Sequence, residues 1–277
     1  MTVMDCALAI LADDVEARAF RDLFSAAPAP LAQALGLEIA DVEDTTLLIA
    51  RNIPDTMFNR AIGLGLHAPA TPSRIDAIAA KYRDAGVRDW WLHVNPAASP
   101  AALGAWVEAR GYTAPRRRSW AKMLRPASAA PRFDTDVTIR DVGPSEAADV
   151  AAAIAHAFGM PPPMSVWIGA LAGRPGWRVV GAFTDRAIGG ACVHLQGENA
   201  WLGIGGVRSD ARGRGAHRAL MAARIQAAID AGCRWIVTET GEPIGEEHNP
   251  SLANMVRCGF ERACSRANYA APQPATS

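Results

Sequence analysis

The chain has 277 residues, the length of one large domain or of two domains of modest size. Half of the residues are hydrophobic and a fifth are charged, and 28 basic residues balance 28 acidic ones. This composition excludes a disordered chain. The zero net charge provides no global field that would favour nucleic acid or an anionic membrane as a partner.

Five cysteines are scattered along the chain without a C-x-x-C pair. This pattern is typical of reduced thiols and not of a disulfide framework or a zinc site. The N-terminal apolar run Cys6–Ala12 lies between two aspartates and is too short for a membrane span. It also lacks the preceding basic region that a signal peptide has. We therefore expect a cytoplasmic protein without a bound metal.

The first half contains an apolar run, Phe58–Leu66, that predicts a strand. The segment His67–Asp76 follows and carries two prolines, which lack backbone donors. Arg74–Val94 then predicts a helix, a glycine and a strand, and Ala102–Tyr112 predicts a short helix. The stretch Arg125–Asp136 has two prolines and no apolar periodicity, and we interpret it as a linker.

The second half repeats this order of elements. Gly86 and Gly111 recur as Gly232 and Gly259, at offsets of 146 and 148 residues. Nearly equal offsets favour a duplicated architecture, although any helix–glycine–strand unit resembles another. The predicted division is a first domain at 1–125, a linker at 126–136 and a second domain at 137–277.

The second half begins with a predicted hairpin, Ala187–Leu195 and Asn199–Val207, joined by a turn. Apolar residues at helical spacing between Ala216 and Ala227 predict a helix, which Gly232 would end. The run Cys233–Glu239 predicts a buried strand. We expect an α/β (α+β) fold in which each half is a twisted mixed sheet flanked by helices.

A glycine- and arginine-rich loop lies between the hairpin and this helix. From Arg208 to Arg224 there are five arginines and one aspartate, a local charge of +4. Unpaired amides at a helix start and close backbone approach at glycines favour a phosphate-bearing ligand. The loop matches neither the P-loop pattern nor G-x-G-x-x-G, and it lacks the interleaved aromatics of an RNA-binding segment.

The loop Arg212-Gly213-Arg214-Gly215-Ala216-His217, with the later Gly259-Phe260, resembles the GNAT superfamily of N-acetyltransferases. The resemblance covers about Val137–Tyr269 and implies a tandem protein with a degenerate N-terminal half that has no cofactor loop. It implies acetyl-coenzyme A as co-substrate, with Val207 pairing to the pantetheine arm and the amides of Gly213–His217 holding the pyrophosphate. The implied cofactor-binding residues are Gly205, Val207, Arg212, Gly213, Arg214, Gly215, Ala216, His217 and Asn249.

Two positions depart from the family pattern. His217 stands where the family has glycine or alanine, and Met255 stands where it has the tyrosine that protonates the leaving thiolate. For the proton acceptor the first choice is Glu239, at the end of the strand that splays from the cofactor strand in this family, and the second is His194. Tyr269 and Ser251 are weak substitutes for the missing acid.

These observations predict transfer of an acetyl group to a primary amine by direct attack on the thioester. The acceptor, a small molecule or a peptide, and the oligomeric state stay open, and neither nucleic acid nor a membrane is expected as a partner. The alternative is a coenzyme A-binding module without catalysis, which Met255 favours. A pure interaction scaffold would require the glycine loop to be accidental.

Overall fold

The computed structural model of the chain describes residues 3–114 and 119–272. Its first half contains α1 (Val3–Ser25), α2 (Ala29–Leu35), β1 (Leu37–Val42), β2 (Thr45–Ala50), β3 (Arg60–Ile62), α3 (Pro72–Asp84), β4 (Trp91–Val94), α4 (Leu103–Glu108) and β5 (Trp120–Pro126). Its second half contains β6 (Thr138–Asp141), α5 (Ala147–Ala157), α6 (Pro163–Gly169), β7 (Trp177–Phe183), β8 (Ala187–Gln196), β9 (Asn199–Val207), α7 (Ala216–Asp230), β10 (Trp235–Gly241), α8 (Pro250–Arg257) and β11 (Glu261–Ala270).

The eleven strands form one mixed sheet in the order β1-β2-β3-β4-β11-β5-β10-β9-β8-β7-β6. Helices cover both faces, which confirms the predicted α/β fold. Successive residues of a strand point to opposite faces. In β2, Leu48 and Ala50 pack with α1, α5 and α6, whereas Leu47 and Ile49 pack with α3 and α4.

The predicted order of elements in the second half is confirmed. The hairpin of β8 and β9 turns at Gly197, whose φ is +60°, and α7 is followed by Gly232 with a φ of +76°. Both glycines adopt the left-handed conformation that other residues rarely occupy. In the first half, the predicted strand Phe58–Leu66 is wrong in extent, because β3 ends at Ile62. Gly63 and Gly65 follow with φ values of +100° and +78° and turn the chain away.

The last strands of the two halves exchange places. β5, from the first half, lies between β10 and β11, while the end of β11 pairs with β4 of the first half. The predicted boundary at 125 therefore cuts through a strand that completes the second half of the sheet. The two halves of the sequence share one continuous sheet.

The segment predicted as a linker, 126–136, has neither helix nor strand after Pro126 but is held against the second half. Thr135 Oγ1 donates to the carbonyl of Arg214 at 2.7 Å, and the guanidinium of Arg218 lies 5.1 Å from the ring of Phe133. Its position beside the glycine loop is therefore determined by specific contacts. Within the described ranges, no helix is long and apolar enough to cross a bilayer.

Candidate active site

The site begins where two neighbouring parallel strands stop pairing. β10 pairs with β9 only at Trp235, Ile236 and Val237, and Thr238 Oγ1 then donates to the carbonyl of Leu202 at 2.8 Å. Beyond this point both strands continue without pairing to each other. The sheet is therefore open between the ends of β9 and β10.

A bulge in β9 causes this separation. The pairing of β9 with β8 shifts between Gly203 and Gly206, and Ile204 has a φ of +53°, which is rare for a β-branched residue. The buried guanidinium of Arg224, on α7, donates to the carbonyls of Cys192 and Gly203 at 3.2 Å each. Arg224 thus holds the bulge in place. Burial lowers its pKa to about 10, so that it keeps its charge at neutral pH.

The glycine loop lies directly after β9 and leads into α7. Gly213 and Gly215 have φ values of +85° and +77°, and no side chain caps the helix that starts at Ala216. A Cβ at Gly213 would meet nothing within 4 Å. The loop therefore offers an open backbone whose amides can bind an anion at the positive end of the helix dipole.

A cavity of about 530 Å³, here called the loop cavity, lies over this backbone. Eight of the nine predicted cofactor-binding residues line it: Gly205, Val207, Arg212, Gly213, Arg214, Gly215, Ala216 and His217. Asn249 does not line it. Asn249 instead caps α8 by accepting from the amide of Leu252 at 3.1 Å, and it donates to the carbonyl of Gly241 at 2.7 Å.

The predicted local charge of +4 is smaller in the folded protein. Arg208 pairs with Asp210, Arg214 pairs with Asp136, and Arg224 is buried under the bulge. His217 is neutral at neutral pH, because burial lowers its pKa to about 4. Anion binding at this loop therefore depends mainly on backbone amides.

A second cavity of about 540 Å³, here called the inner cavity, passes through the opening between β9 and β10. It shares Phe158, Gly205, His217 and Ser251 with the loop cavity. Its walls come from both faces of the sheet and from both halves of the sequence, for example Phe20 of α1. The two cavities therefore meet at the end of the glycine loop.

Glu239 lies in the wall of the inner cavity, on the part of β10 that no longer pairs with β9. Its Oε2 accepts from Lys122 Nζ at 3.0 Å and its Oε1 accepts from Trp201 Nε1 at 3.0 Å. The side chain is 8% exposed. Burial raises the pKa of this carboxyl, an effect that the positive charge of Lys122 opposes.

Glu239 belongs to a buried charge cluster between the two halves. Lys122 Nζ also donates to Glu16 Oε2 at 2.7 Å, and Arg266 donates to Asp13 Oδ1 at 2.7 Å and to Glu16. The cluster contains three acidic residues, Asp13, Glu16 and Glu239, and three basic residues, Arg60, Lys122 and Arg266, so that its formal charges cancel. His93 also belongs to it. Burial keeps the pKa of His93 well below its ordinary value, so that it carries no charge at neutral pH.

The residues of this cluster come from distant parts of the chain, so no local pattern predicted it. One signal was present: Lys122 is one of two lysines in a chain with 26 arginines, and it stands in the apolar strand β5. A second signal was the pair Asp13 and Glu16, three positions apart on one face of α1. Neither signal by itself indicates a partner.

Two other candidates for proton transfer, His194 and Tyr269, lie away from the inner cavity. His194 accepts from Gln196 Nε2 at 2.9 Å, stacks on Trp177 and lines neither of the two cavities. Tyr269 donates to Glu108 at 3.0 Å in the core of the first half. Met255 and Ser251 do line the inner cavity, so the position of the missing tyrosine is occupied by a thioether.

No protein-family profile and no curated protein matches this chain. Among solved structures, a GCN5-related N-acetyltransferase from Kribbella flavida matches with a TM-score of 0.62 at 16% identity, over 88% of this chain and 93% of that chain. One from Sphaerobacter thermophilus matches with a TM-score of 0.61 at 16% identity, over 86% of this chain and 85% of that chain.

A tandem GNAT protein from the clavulanic acid biosynthesis pathway also matches, with a TM-score of 0.54 at 15% identity. The alignment covers 74% of this chain and 70% of that chain. These alignments extend across both halves of the sequence. The chain therefore has the fold of a tandem GCN5-related N-acetyltransferase.

Proposed function

We propose that this protein is an N-acetyltransferase that moves the acetyl group of acetyl-coenzyme A to a primary amine by direct attack on the thioester. The observation that carries the proposal is the meeting of two cavities at the opening between β9 and β10. One cavity presents helix-start amides suited to a pyrophosphate, and the other contains a buried carboxylate. Acyl transfer requires such a pair of sites in contact.

The residues present fit coenzyme A. The backbone of Gly213 is open, the start of α7 has no capping side chain, and β9 leads from the loop into the opening with Val207 at its end. When bound, acetyl-coenzyme A would supply the activated acyl group as a thioester. The role of the chain is to hold the pyrophosphate at the loop, to place the thioester end at the opening and to exclude water around it.

We propose Glu239 as the proton acceptor. An amine must lose a proton to become a nucleophile and to yield a neutral amide, and a positioned carboxylate can accept that proton. Burial raises the pKa of Glu239 towards the operating pH, which makes the carboxylate a better base. Lys122 and Trp201 hold both of its oxygens, which orients the group at the cavity wall.

No proton donor is required for the leaving group. A thiol has a pKa of ~8.5, so the thiolate can depart with little assistance near neutral pH. Met255 at the usual tyrosine position therefore slows the reaction by at most the ~10²–10⁴-fold contribution of general acid catalysis. This position alone does not exclude turnover.

A second candidate is a coenzyme A-binding protein without catalysis. Two observations favour it: Met255 supplies no proton, and Glu239 is already engaged by Lys122 and Trp201. In this reading the buried charge cluster would only join the two halves. The loop cavity would still bind coenzyme A.

The test incubates the purified full chain with acetyl-coenzyme A and a panel of primary amines while free thiol is measured. Calorimetry with coenzyme A runs in parallel. We expect binding and amine-dependent thiol release. Binding of coenzyme A without thiol release in the presence of any amine would support the non-catalytic candidate. Absence of coenzyme A binding would contradict both candidate functions.

A further inference from the structure

Apolar side chains form most of the wall of the inner cavity, although the buried charge cluster lies at its edge. Sixteen of the 25 residues in its wall carry large apolar side chains. The first half of the sequence contributes six of these, and all six are apolar: Phe20, Leu23, Met57, Phe58, Trp91 and Trp120. Ligand pockets of such composition select by shape and by a few polar groups.

The positive charge of Arg60, a member of the cluster, is screened from this cavity. The guanidinium of Arg60 lies over the ring of Phe20 at 3.9 Å and near that of Trp120 at 5.0 Å, so that aromatic rings separate it from the cavity. Among the described residues of the wall, Glu239 is the one carboxylate. A ligand with several ammonium groups would therefore leave all but one of them unpaired in an apolar space.

We infer that the acyl acceptor is a primary amine with one apolar substituent, an arylalkyl or branched alkyl group, bound in the inner cavity with its nitrogen towards Glu239. This inference rests on the proposed function for the chemistry, and on the cavity wall for the class of ligand. The substituent would lie against Phe20, Trp167 and Trp201, whose rings pack around the cavity.

The same environment prepares the amine for attack. Removal from water disfavours the charged form of an amine and lowers its pKa. The ammonium proton passes to the Glu239 carboxylate, and the freed nitrogen lone pair forms the bond to the thioester carbonyl carbon. The carbon–sulfur bond then breaks to give a thiolate, and the second proton leaves the nitrogen for this thiolate, which leaves a neutral amide. The products are an apolar amide and coenzyme A.

A cavity for a long acyl chain is the competing interpretation. Such a chain needs no charged group, whereas the inner cavity is lined by Glu239, Thr238 and Thr240 where β10 no longer pairs with β9. A carboxylate and two hydroxyls close together in a cavity with a mostly apolar wall match an amine at the end of an apolar body. We therefore favour the acceptor.

The test compares 2-phenylethylamine with glycinamide and spermidine as acceptors for the full chain, at saturating acetyl-coenzyme A. We expect kcat/KM for 2-phenylethylamine to exceed that for each polar amine by at least 100-fold. Met160→Lys places a charge on a half-buried residue of the wall and should raise the KM for 2-phenylethylamine at least tenfold, with affinity for coenzyme A unchanged. The matched control is Val166→Lys, 56% exposed on α6 and outside the wall, which should behave as the unaltered chain.

The outcomes separate this inference from the proposed function. Equal or faster acetylation of glycinamide or spermidine would overturn the inference and leave the acetyltransferase intact. If no amine is acetylated, the proposed function fails, and calorimetry with 2-phenylethylamine alone then tests the inference. Binding that Met160→Lys weakens tenfold supports the inference, and absence of binding overturns it. If octanoyl-coenzyme A replaces acetyl-coenzyme A with equal efficiency and only this use is lost in Met160→Lys, the cavity holds an acyl chain and the inference is wrong.

Discussion

Lys122 Nζ lies 3.0 Å from Glu239 Oε2, although 117 positions separate the two residues in the sequence. Lys122 stands on β5 of the first half, and Glu239 stands opposite it on β10 of the second half. Both side chains are buried, and Lys122 is the main counter-charge of Glu239, while Lys122 itself pairs with both Glu239 and Glu16. The exchange of β5 thus connects the two halves at the proposed reaction centre.

Lys122→Met should change both stability and pH dependence. Removal of one partner of a buried ion pair costs ~3–5 kcal/mol of unfolding free energy. The positive charge of Lys122 lowers the pKa of Glu239, so its loss should raise that pKa further. Because Glu239 must be ionised to accept a proton, the acidic limb of the pH–rate profile should move to higher pH.

The control is the double variant Lys122→Met with Glu239→Gln. It leaves no isolated carboxylate at Glu239, so denaturant unfolding should show a smaller loss than the sum of the two single variants. If the losses of unfolding free energy in the two single variants add up to the loss in the double variant, and the acidic limb of the pH–rate profile does not move in Lys122→Met, the two groups are not coupled.

Glu239→Gln should lower kcat by ~10²-fold or more, with nearly unchanged affinity for acetyl-coenzyme A. Glutamine keeps the size and one oxygen for Lys122 or Trp201 but is not a base. Stopped-time assays of thiol release across pH measure this, and the acidic limb should disappear. A variant that turns over normally while melting at a lower temperature would assign Glu239 to stability alone.

Gly215→Asp should weaken coenzyme A binding by ~2 kcal/mol or more, because a carboxylate would lie beside the predicted pyrophosphate position. The φ of Gly215 is +77°, so any side chain adds backbone strain there. Gly215→Asn has the same size and strain without the charge and is the matched control. Calorimetry should show the aspartate variant to be the weaker binder, and equal affinities would remove the loop from the site.

His217 should make the protein less stable in acid. Its pKa in the folded chain is about 4, below the ordinary 6.5, so the unfolded chain binds a proton first as the pH falls. Stability is therefore lost from about pH 6.5 down to about pH 4, by up to ~3 kcal/mol.

The measurement compares His217→Gln with the unaltered chain by denaturant unfolding at pH 7.5 and pH 4.5, without ligand. The difference in unfolding free energy between the two proteins should shift by ~2 kcal/mol in favour of the variant at the lower pH. His93 and His194, whose pKa values burial also lowers, titrate in both proteins and cancel. A constant difference would show that His217 does not titrate in this range.

The exchanged strands predict that neither half folds alone. A chain of residues 130–277 lacks β5, so β10 and β11 would face a gap in the sheet. Residues 1–129 and 130–277, produced together, should co-purify and bind coenzyme A, whereas each alone should be insoluble. Soluble, coenzyme A-binding protein from residues 130–277 alone would contradict the prediction.

Local patterns in the sequence were sufficient for most of the second half. The hairpin, the loop Arg212–His217, α7 and the glycine after it were predicted because each depends on turn chemistry and periodicity within a few neighbouring residues. The cofactor loop was predicted in the same way, since helix-start amides and glycine conformations are local properties. Asn249 was placed in that site on resemblance alone, and the structure uses it as a helix cap.

Only the tertiary structure decided the inner cavity and the ion pairs behind Glu239. The exchange of β5 and β11 brings Asp13, Glu16, Lys122 and Arg266 together from opposite ends of the chain. No local pattern encodes that meeting, because strand pairing order depends on which hydrophobic faces can be buried together. The sequence by itself determined a glycine-rich loop at a helix start in the second half, and the fold supplied the apolar cavity and the buried charges from the first.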